Sequence, residues 1–184
     1  MQDEYNVQTK ENTSPHSRDL CKHYVATRTG TVQQYLLIIV KKREMKTEKL
    51  PITYRGVIYP WHCDQMGHMN VMWYTGKFDE ATWHLFNIIG CTSAYMNQNS
   101  RGMVAVEQHV VYKKELFAGN LIHICSGILE VKEKSIKFIH EMINSETEEL
   151  AATCVITGVH LDTIARKATP FPDHLFAKAT KMIS

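Results

Sequence analysis

Tyr74-Thr75-Gly76-Lys77-Phe78-Asp79-Glu80-Ala81-Thr82-Trp83-His84-Leu85-Phe86-Asn87-Ile88 sets Tyr74, Phe78, Ala81, Leu85 and Ile88 at spacings of four, three, four and three. That is the period of one face of an α-helix, and carried back to Asn70 the helix runs for about five turns. Gly90 follows where a left-handed C-terminal residue belongs. Met72, Trp73, Trp83 and Phe86 lie off the stripe. The helix is therefore expected to be covered on more than one side.

Working outward, Thr53 to Tyr59 is a short β-rich run ended by Pro60, and Trp61 to Asn70 is a polar, glycine-containing loop. After the helix, Thr92 to Gly102 reads as a Ser/Asn-rich connection. Four β-rich stretches follow, at Met103–Leu116, Leu121–Lys132, Ser135–Ile143 and Leu150–Asp162. Ala118-Gly119-Asn120, Glu133-Lys134 and Asn144-Ser145-Glu146 separate them, and links this short favour antiparallel neighbours. In the third stretch Ile136, Phe138, His140 and Met142 alternate with Lys137, Ile139, Glu141 and Ile143, so both faces are partly covered. Thr169-Pro170-Phe171-Pro172 ends the sheet, and Asp173 is read as the cap of a short terminal helix through Met182. One strand, a long helix and four meandering strands make an α+β fold, with the helix wrapped by a five-stranded antiparallel sheet.

The chain has 184 residues, enough for one ordinary domain with additions. Its longest aliphatic run, Tyr35 to Val40, is six residues, against about 20 for a membrane-spanning helix. Residues 1–46 carry eight Lys/Arg and five Asp/Glu, and residues 47–184 carry thirteen and fourteen. The main body is thus near neutral, without the basic footprint of a nucleic-acid binder. Cys21, Cys63, Cys91, Cys125 and Cys154 are odd in number and widely spaced, which fits a reduced cytoplasmic protein better than a disulfide scaffold. Met1 to Thr31 lacks periodicity and Gln33 to Val40 could be a short strand or a helix turn; residues 1–46 as a whole are expected to be a poorly ordered extension, or a start-site artefact with Met45 as a second start. Residues 47–172 form the folded domain, and residues 173–184 the short terminal helix.

The chemistry concentrates where the loop meets the helix. Asn70 is a good N-cap residue type, so residues 71–74 would present backbone N–H groups at the positive end of the helix. Alone, Asp64 in a polar, glycine-containing loop is more often a turn or cap residue than a catalyst. His62, Cys63, Asp64 and His68 crowd together like metal ligands, but a zinc site wants separated ligands of workable geometry. Cys63 beside His62 evokes a thiol–imidazole pair, yet neighbours in an extended segment point apart.

Trp61-His62-Cys63-Asp64-Gln65-Met66-Gly67-His68-Met69-Asn70-Val71-Met72-Trp73-Tyr74, followed by Phe78-Asp79-Glu80-Ala81, resembles the hotdog-fold acyl-CoA thioesterases. More narrowly it resembles their 4-hydroxybenzoyl-CoA thioesterase branch, which has an Asp, a Gly three residues later, often His-x-Asn, and Phe-acid-x-Ala on the helix. Gly119-Asn120 resembles a Gly-Asp turn of the same family. The likeness covers roughly residues 53–172 and agrees with the element order read independently.

The resemblance implies an enzyme that hydrolyses acyl-CoA to a carboxylic acid and free CoA. It implies Asp64 as general base or nucleophile, with the N–H of Val71 in the oxyanion site. Gly67, His68 and Asn70 would position the substrate, and Tyr74, Phe78 and Glu107 would line the acyl pocket. Lys113, Lys114, Lys132, Lys134 and Arg101 are candidates for the CoA phosphates. The family implies no metal or other cofactor, and a homodimer or tetramer with sites between protomers. Asp79 and Glu80 are alternative carboxylates, since another hotdog branch uses a helix acid. A hotdog dehydratase or hydratase, and a non-catalytic acyl-CoA-binding module, are the rival readings.

Overall fold

The structure, a computed structural model, describes residues 50–183; the extension at residues 1–46 lies outside the described residues. In chain order the elements are β1 (Ile52–Val57), a 3₁₀ turn (Pro60–His62), α1 (Val71–Ile89), α2 (Ser93–Asn99), β2 (Arg101–Tyr112), β3 (Leu121–Val131), β4 (Ser135–Asn144), β5 (Leu150–Asp162), β6 (Lys167–Ala168) and α3 (Asp173–Lys181). The sheet runs β1-β3-β4-β5-β2, antiparallel throughout, with two-residue β6 beside β5. This curled sheet around one long helix is the hotdog arrangement expected from the sequence.

The stripe on α1 supplies the core. Phe78, Ala81 and Leu85 have no exposed surface, and Tyr74, Phe86 and Ile89 are buried beside them. In the last turn Ile89, not Ile88, is the buried residue. Gly90 ends the helix at φ +94°, a conformation that costs side-chain-bearing residues most. From the sheet come Ile122, Ile124, Ile128, Ile136, Phe138 and Met142, all essentially inaccessible.

Three local expectations are corrected. The connection Thr92 to Gly102 contains α2, capped by Thr92 Oγ1, which accepts the Tyr95 N–H at 3.1 Å. Seven mostly polar residues with only Met96 buried give too short a pattern to betray a helix. Asp173 lies in the first turn of α3 while Pro172 occupies the N-cap position. Strand β6 is two residues long and has no apolar alternation to announce it.

A polar chain threads the core. Thr53 Oγ1 meets Ser126 Oγ at 2.5 Å, Ser126 Oγ meets His140 Nδ1 at 2.5 Å, and His140 Nε2 meets Thr82 Oγ1 at 2.9 Å. Thr82 donates its own proton to the Phe78 carbonyl, so it accepts from His140. The imidazole is then protonated at Nε2 and accepts from Ser126 at Nδ1. Burial holds His140 neutral, its pKa pushed down to about 3. The unfolded chain therefore binds a proton at this residue that the folded chain refuses. Stability should fall as pH drops below about 6.5, by roughly 1.4 kcal/mol per pH unit from this group, until the folded pKa is reached. Urea midpoints measured from pH 7 to 4 check this, and His140→Gln should flatten the slope even if its neutral-pH stability is lower.

Candidate active site

The loop before α1 is shaped by its own backbone. Gly67 N–H donates to the Asp64 carbonyl at 2.9 Å, and Asp64 N–H donates to the His68 carbonyl at 3.1 Å. Gly67 sits at φ +84° with open space where a Cβ would be, so conformation rather than room selects glycine there. Met69 N–H reaches the Leu116 carbonyl at 2.7 Å, tying the loop to the end of β2, and Asn70 N–H reaches the His62 carbonyl at 2.9 Å.

Asp64 is only partly buried, and both carboxylate oxygens are engaged. Oδ1 accepts the Met66 N–H at 2.9 Å, an Asx turn, and Oδ2 accepts from Asn70 Nδ2 at 3.0 Å. The Met66 bond and then the Asn70 bond hold its pKa below the ordinary carboxylate value, with His68 adding a smaller pull. The group is ionised at neutral pH.

Asn70 joins this carboxylate to the helix. Its Oδ1 accepts the Met72 N–H at 3.0 Å while its own carbonyl accepts the Trp73 N–H at 3.0 Å. Among the described residues no acceptor takes the N–H of Val71, the first helical residue, which is 56% exposed. One side chain thus places an ionised carboxylate beside an unclaimed helix-end donor. Asn70→Ser should separate its two jobs. Serine keeps the cap and stability within about 1 kcal/mol, but has no amide to hold Asp64. Thermal melts should change little while kcat falls and the acid limb of the pH profile moves upward.

The neighbouring histidine and cysteine serve the scaffold. His62 is buried, with its ring 4.4 Å from that of Trp73, and its Nδ1 accepts the Tyr59 N–H at 3.1 Å. Desolvation, then the Lys77 charge, lowers its pKa. The Cys63 thiol turns to the Tyr59 carbonyl at 3.9 Å, so no thiol–imidazole pair forms with His62. No three His, Cys, Asp or Glu side chains converge as metal ligands among the described residues.

A cavity of about 240 Å³ opens beside this site, between α1 and the edge strand β2. The helix lines it with Thr75, Asp79, Thr82, Trp83 and Phe86, and Gly76 leaves open space at its wall. Tyr74 and Phe78, expected at the acyl pocket, sit instead on the stripe that sinks into the sheet. The Tyr74 ring packs edge-on to Tyr112 and Phe78 stacks on His140; neither lines the cavity. Glu107 stands apart too: it accepts from Thr157 at 3.1 Å on the opposite sheet face from cavity-lining Ile156 and Gly158. Of the cavity-lining helix residues, the sequence singles out only Trp83 and Phe86, as apolar positions off the main stripe.

The basic candidates divide between the two ends of the sheet. Lys113 and Lys114 lie at the end of the sheet that meets the loop before α1: both N–H groups donate to the Ala151 carbonyl, and Lys114 pairs with Glu149 at 3.1 Å. Lys132, Lys134 and Arg101 lie at the other end, on the order of 30 Å of strand away. There Lys132 pairs with Glu130 at 3.2 Å, and Arg101 with Asp162 at 2.7 Å.

The model of the thioesterase-like superfamily matches residues 58–179, spanning the loop, α1 and the whole sheet beyond it. The chain belongs to the thioesterase-like superfamily. One curated relative of this superfamily member is an L-carnitine dehydrogenase/betainyl-CoA thioesterase from a Rhizobium species. It is 25% identical over 115 residues, which is 62% of this chain and 23% of that protein. The chain thus spans about a quarter of that relative's length. Among solved structures, a hypothetical protein from Staphylococcus aureus in complex with CoA superposes with TM-score 0.68 at 14% identity. The match covers 75% of this chain and 87% of that one. A 1,4-dihydroxy-2-naphthoyl-CoA thioesterase from Synechocystis gives TM-score 0.63 at 14% identity, covering 72% and 98%. These likenesses place the fold. No helix among the described residues is long and apolar enough to cross a membrane.

Proposed function

We propose that the protein hydrolyses acyl-CoA thioesters, with Asp64 as general base or nucleophile and the N-terminus of α1 as the oxyanion site. The observation that carries this reading is the double role of Asn70, which holds an ionised Asp64 and caps the helix while leaving the Val71 N–H unclaimed. A thioester carbonyl bound to that N–H develops negative charge on oxygen as its carbon is attacked, and the helix end stabilises it. With Asp64 as base, water adds to the carbonyl carbon and gives its proton to the carboxylate. The C–S bond then breaks and CoA leaves as the thiol. With Asp64 as nucleophile, a mixed anhydride forms and water resolves it. His68 and Asn70 orient the carbonyl or the attacking water in either case.

Coenzyme A as the carrier is supported by the family and by the CoA complex of the staphylococcal neighbour. The acyl groups named for relatives, betainyl and dihydroxynaphthoyl, differ from one another, so this chain's own cavity has to decide its acyl group. Lys113 and Lys114 are the phosphate-binding candidates on the loop's side of the protomer. A reducing, cytoplasmic setting agrees with the free thiols of Cys63, Cys91 and Cys154.

The active form proposed is a homodimer or a tetramer built from it. Strand β2 is a twelve-residue sheet edge with Val104 and Val106 exposed, and such edges invite pairing. Antiparallel pairing of β2 with its copy would bring Arg101, Lys132 and Lys134 toward the partner's catalytic loop. Light scattering at micromolar concentration should give at least twice the monomer mass; a monomer would remove any site shared between protomers.

The function itself is tested by thiol release over short, medium, long and aromatic acyl-CoAs. Free CoA with stoichiometric carboxylic acid is expected. Hydration without thiol would mean a hydratase, and tight binding with neither product would mean a binding module.

A further inference from the structure

The cavity beside α1 carries one carboxylate on its wall, Asp79, which is exposed to water in the free protein. Asp79 stands on its wall with one polar contact, the Trp83 indole N–H donating to Oδ2 at 3.3 Å. No Lys, Arg or His forms an ion pair with it among the described residues. Two other polar groups on the wall, Thr82 and Gln108, are already engaged. The Thr82 hydroxyl serves the Phe78 carbonyl and His140, and Gln108 hydrogen-bonds the Cys154 thiol. Most of the remaining wall is aromatic or aliphatic: Trp83, Phe86, Phe138, Met103 and Ile156. Phe86 packs edge-to-face against both Trp83 and Phe138, with centroids 6.5 and 5.5 Å away.

A plain alkyl tail in this cavity would gain from the apolar walls, but it would strip water from Asp79 and give it no partner in return. An anionic tail would be repelled. A cation satisfies the carboxylate and also lies against aromatic faces, whose quadrupoles attract positive charge.

We propose that this cavity takes the tail of an acyl group ending in an ammonium or quaternary ammonium, with Asp79 as its counter-ion and Trp83 as the aromatic wall beside it. The proposal rests on the thioesterase reading of the same site and gives that reading its substrate class. Asp79 lies eight residues past Val71, or about 12 Å along the helix. An extended eight-carbon acyl chain spans about 10 Å at roughly 1.2 Å per bond. The class indicated is therefore a medium-length acyl group with its charge at the far end.

The test compares octanoyl-CoA, 8-aminooctanoyl-CoA and the CoA half-thioester of octanedioic acid on the full-length protein, followed by thiol release. The amino tail should exceed the plain tail by about tenfold in kcat/KM, a gain typical of a cation held by an aromatic face and a counter-ion. The carboxylate tail should be poorest. In Asp79→Asn the ratio of amino to plain tail should fall toward one, and Asp79→Glu should restore part of it. Equal or better turnover of octanoyl-CoA by the wild type, or an unchanged ratio in Asp79→Asn, would overturn the cationic tail and leave the hydrolase standing. No thiol from any of the three would overturn the cationic tail, and no thiol from the wider acyl-CoA panel either would overturn the hydrolase reading with it.

Discussion

Asp64→Asn is expected to lower kcat by about 10²–10⁴-fold, equivalent to roughly 3–5 kcal/mol of barrier, which is the usual worth of a positioned base. Asparagine is close to aspartate in shape, and its amide oxygen can still accept the Met66 N–H that shapes the turn. It lacks the second oxygen that accepts from Asn70 Nδ2, and with it the negative charge that takes a proton or attacks the thioester. The loss should therefore fall on kcat more than on KM, with melting behaviour near wild type. Glu80→Gln is the matching control, because Glu80 is an exposed acid on α1 and does not line the cavity beside it. Should Asp64→Asn keep more than about a tenth of wild-type kcat, the carboxylate is not the group that lowers the barrier.

The second large effect is on stability. Phe78→Ala should cost about 3–5 kcal/mol, since it removes a fully buried ring and leaves a cavity that neighbours fill only in part. Phe78 stacks 5.9 Å from His140, so the substitution also loosens the ring that anchors the buried polar chain. Against a total stability of 5–15 kcal/mol for a typical domain, that loss of about 3–5 kcal/mol is a large fraction. Urea unfolding should show a lower midpoint with an unchanged slope. A change under about 1 kcal/mol would mean that α1 is not the centre of the core.

The fold was legible because its one long helix has an unambiguous period and its strands follow one another through short turns. Phe78, Ala81 and Leu85 were marked for burial by spacing alone, and Gly90 marked the stop. The loop–helix junction was legible as well: Asn70 is a cap residue by type, and the structure has its side chain on the Met72 N–H. The tether from Asn70 to Asp64 was not legible. Residues six apart meet there only because Gly67 turns the loop back at positive φ.

The lining of the cavity beside α1 was harder still to read. The residues nearest the loop on the apolar stripe, Tyr74 and Phe78, were the natural candidates. A helix gripped by a sheet, however, buries its most apolar face in the core, and only the face next to it borders open space. Thr75, Asp79, Trp83 and Phe86 occupy that second face, and their mixed character carries no pattern on its own. The lysines show the same limit. Lys113 and Lys132 each sit just beyond a strand end, yet the register of an antiparallel sheet sends those ends in opposite directions.

The most direct measurement is a crystal structure of the Asp64→Asn protein with an intact acyl-CoA. The thioester carbonyl oxygen should lie about 3 Å from the Val71 nitrogen, with the substituted side chain facing the carbonyl carbon or a water poised to attack it. The acyl tail should run along α1 toward Asp79. A thioester bound away from the helix start, with Val71 N–H pointing at solvent, would contradict the account.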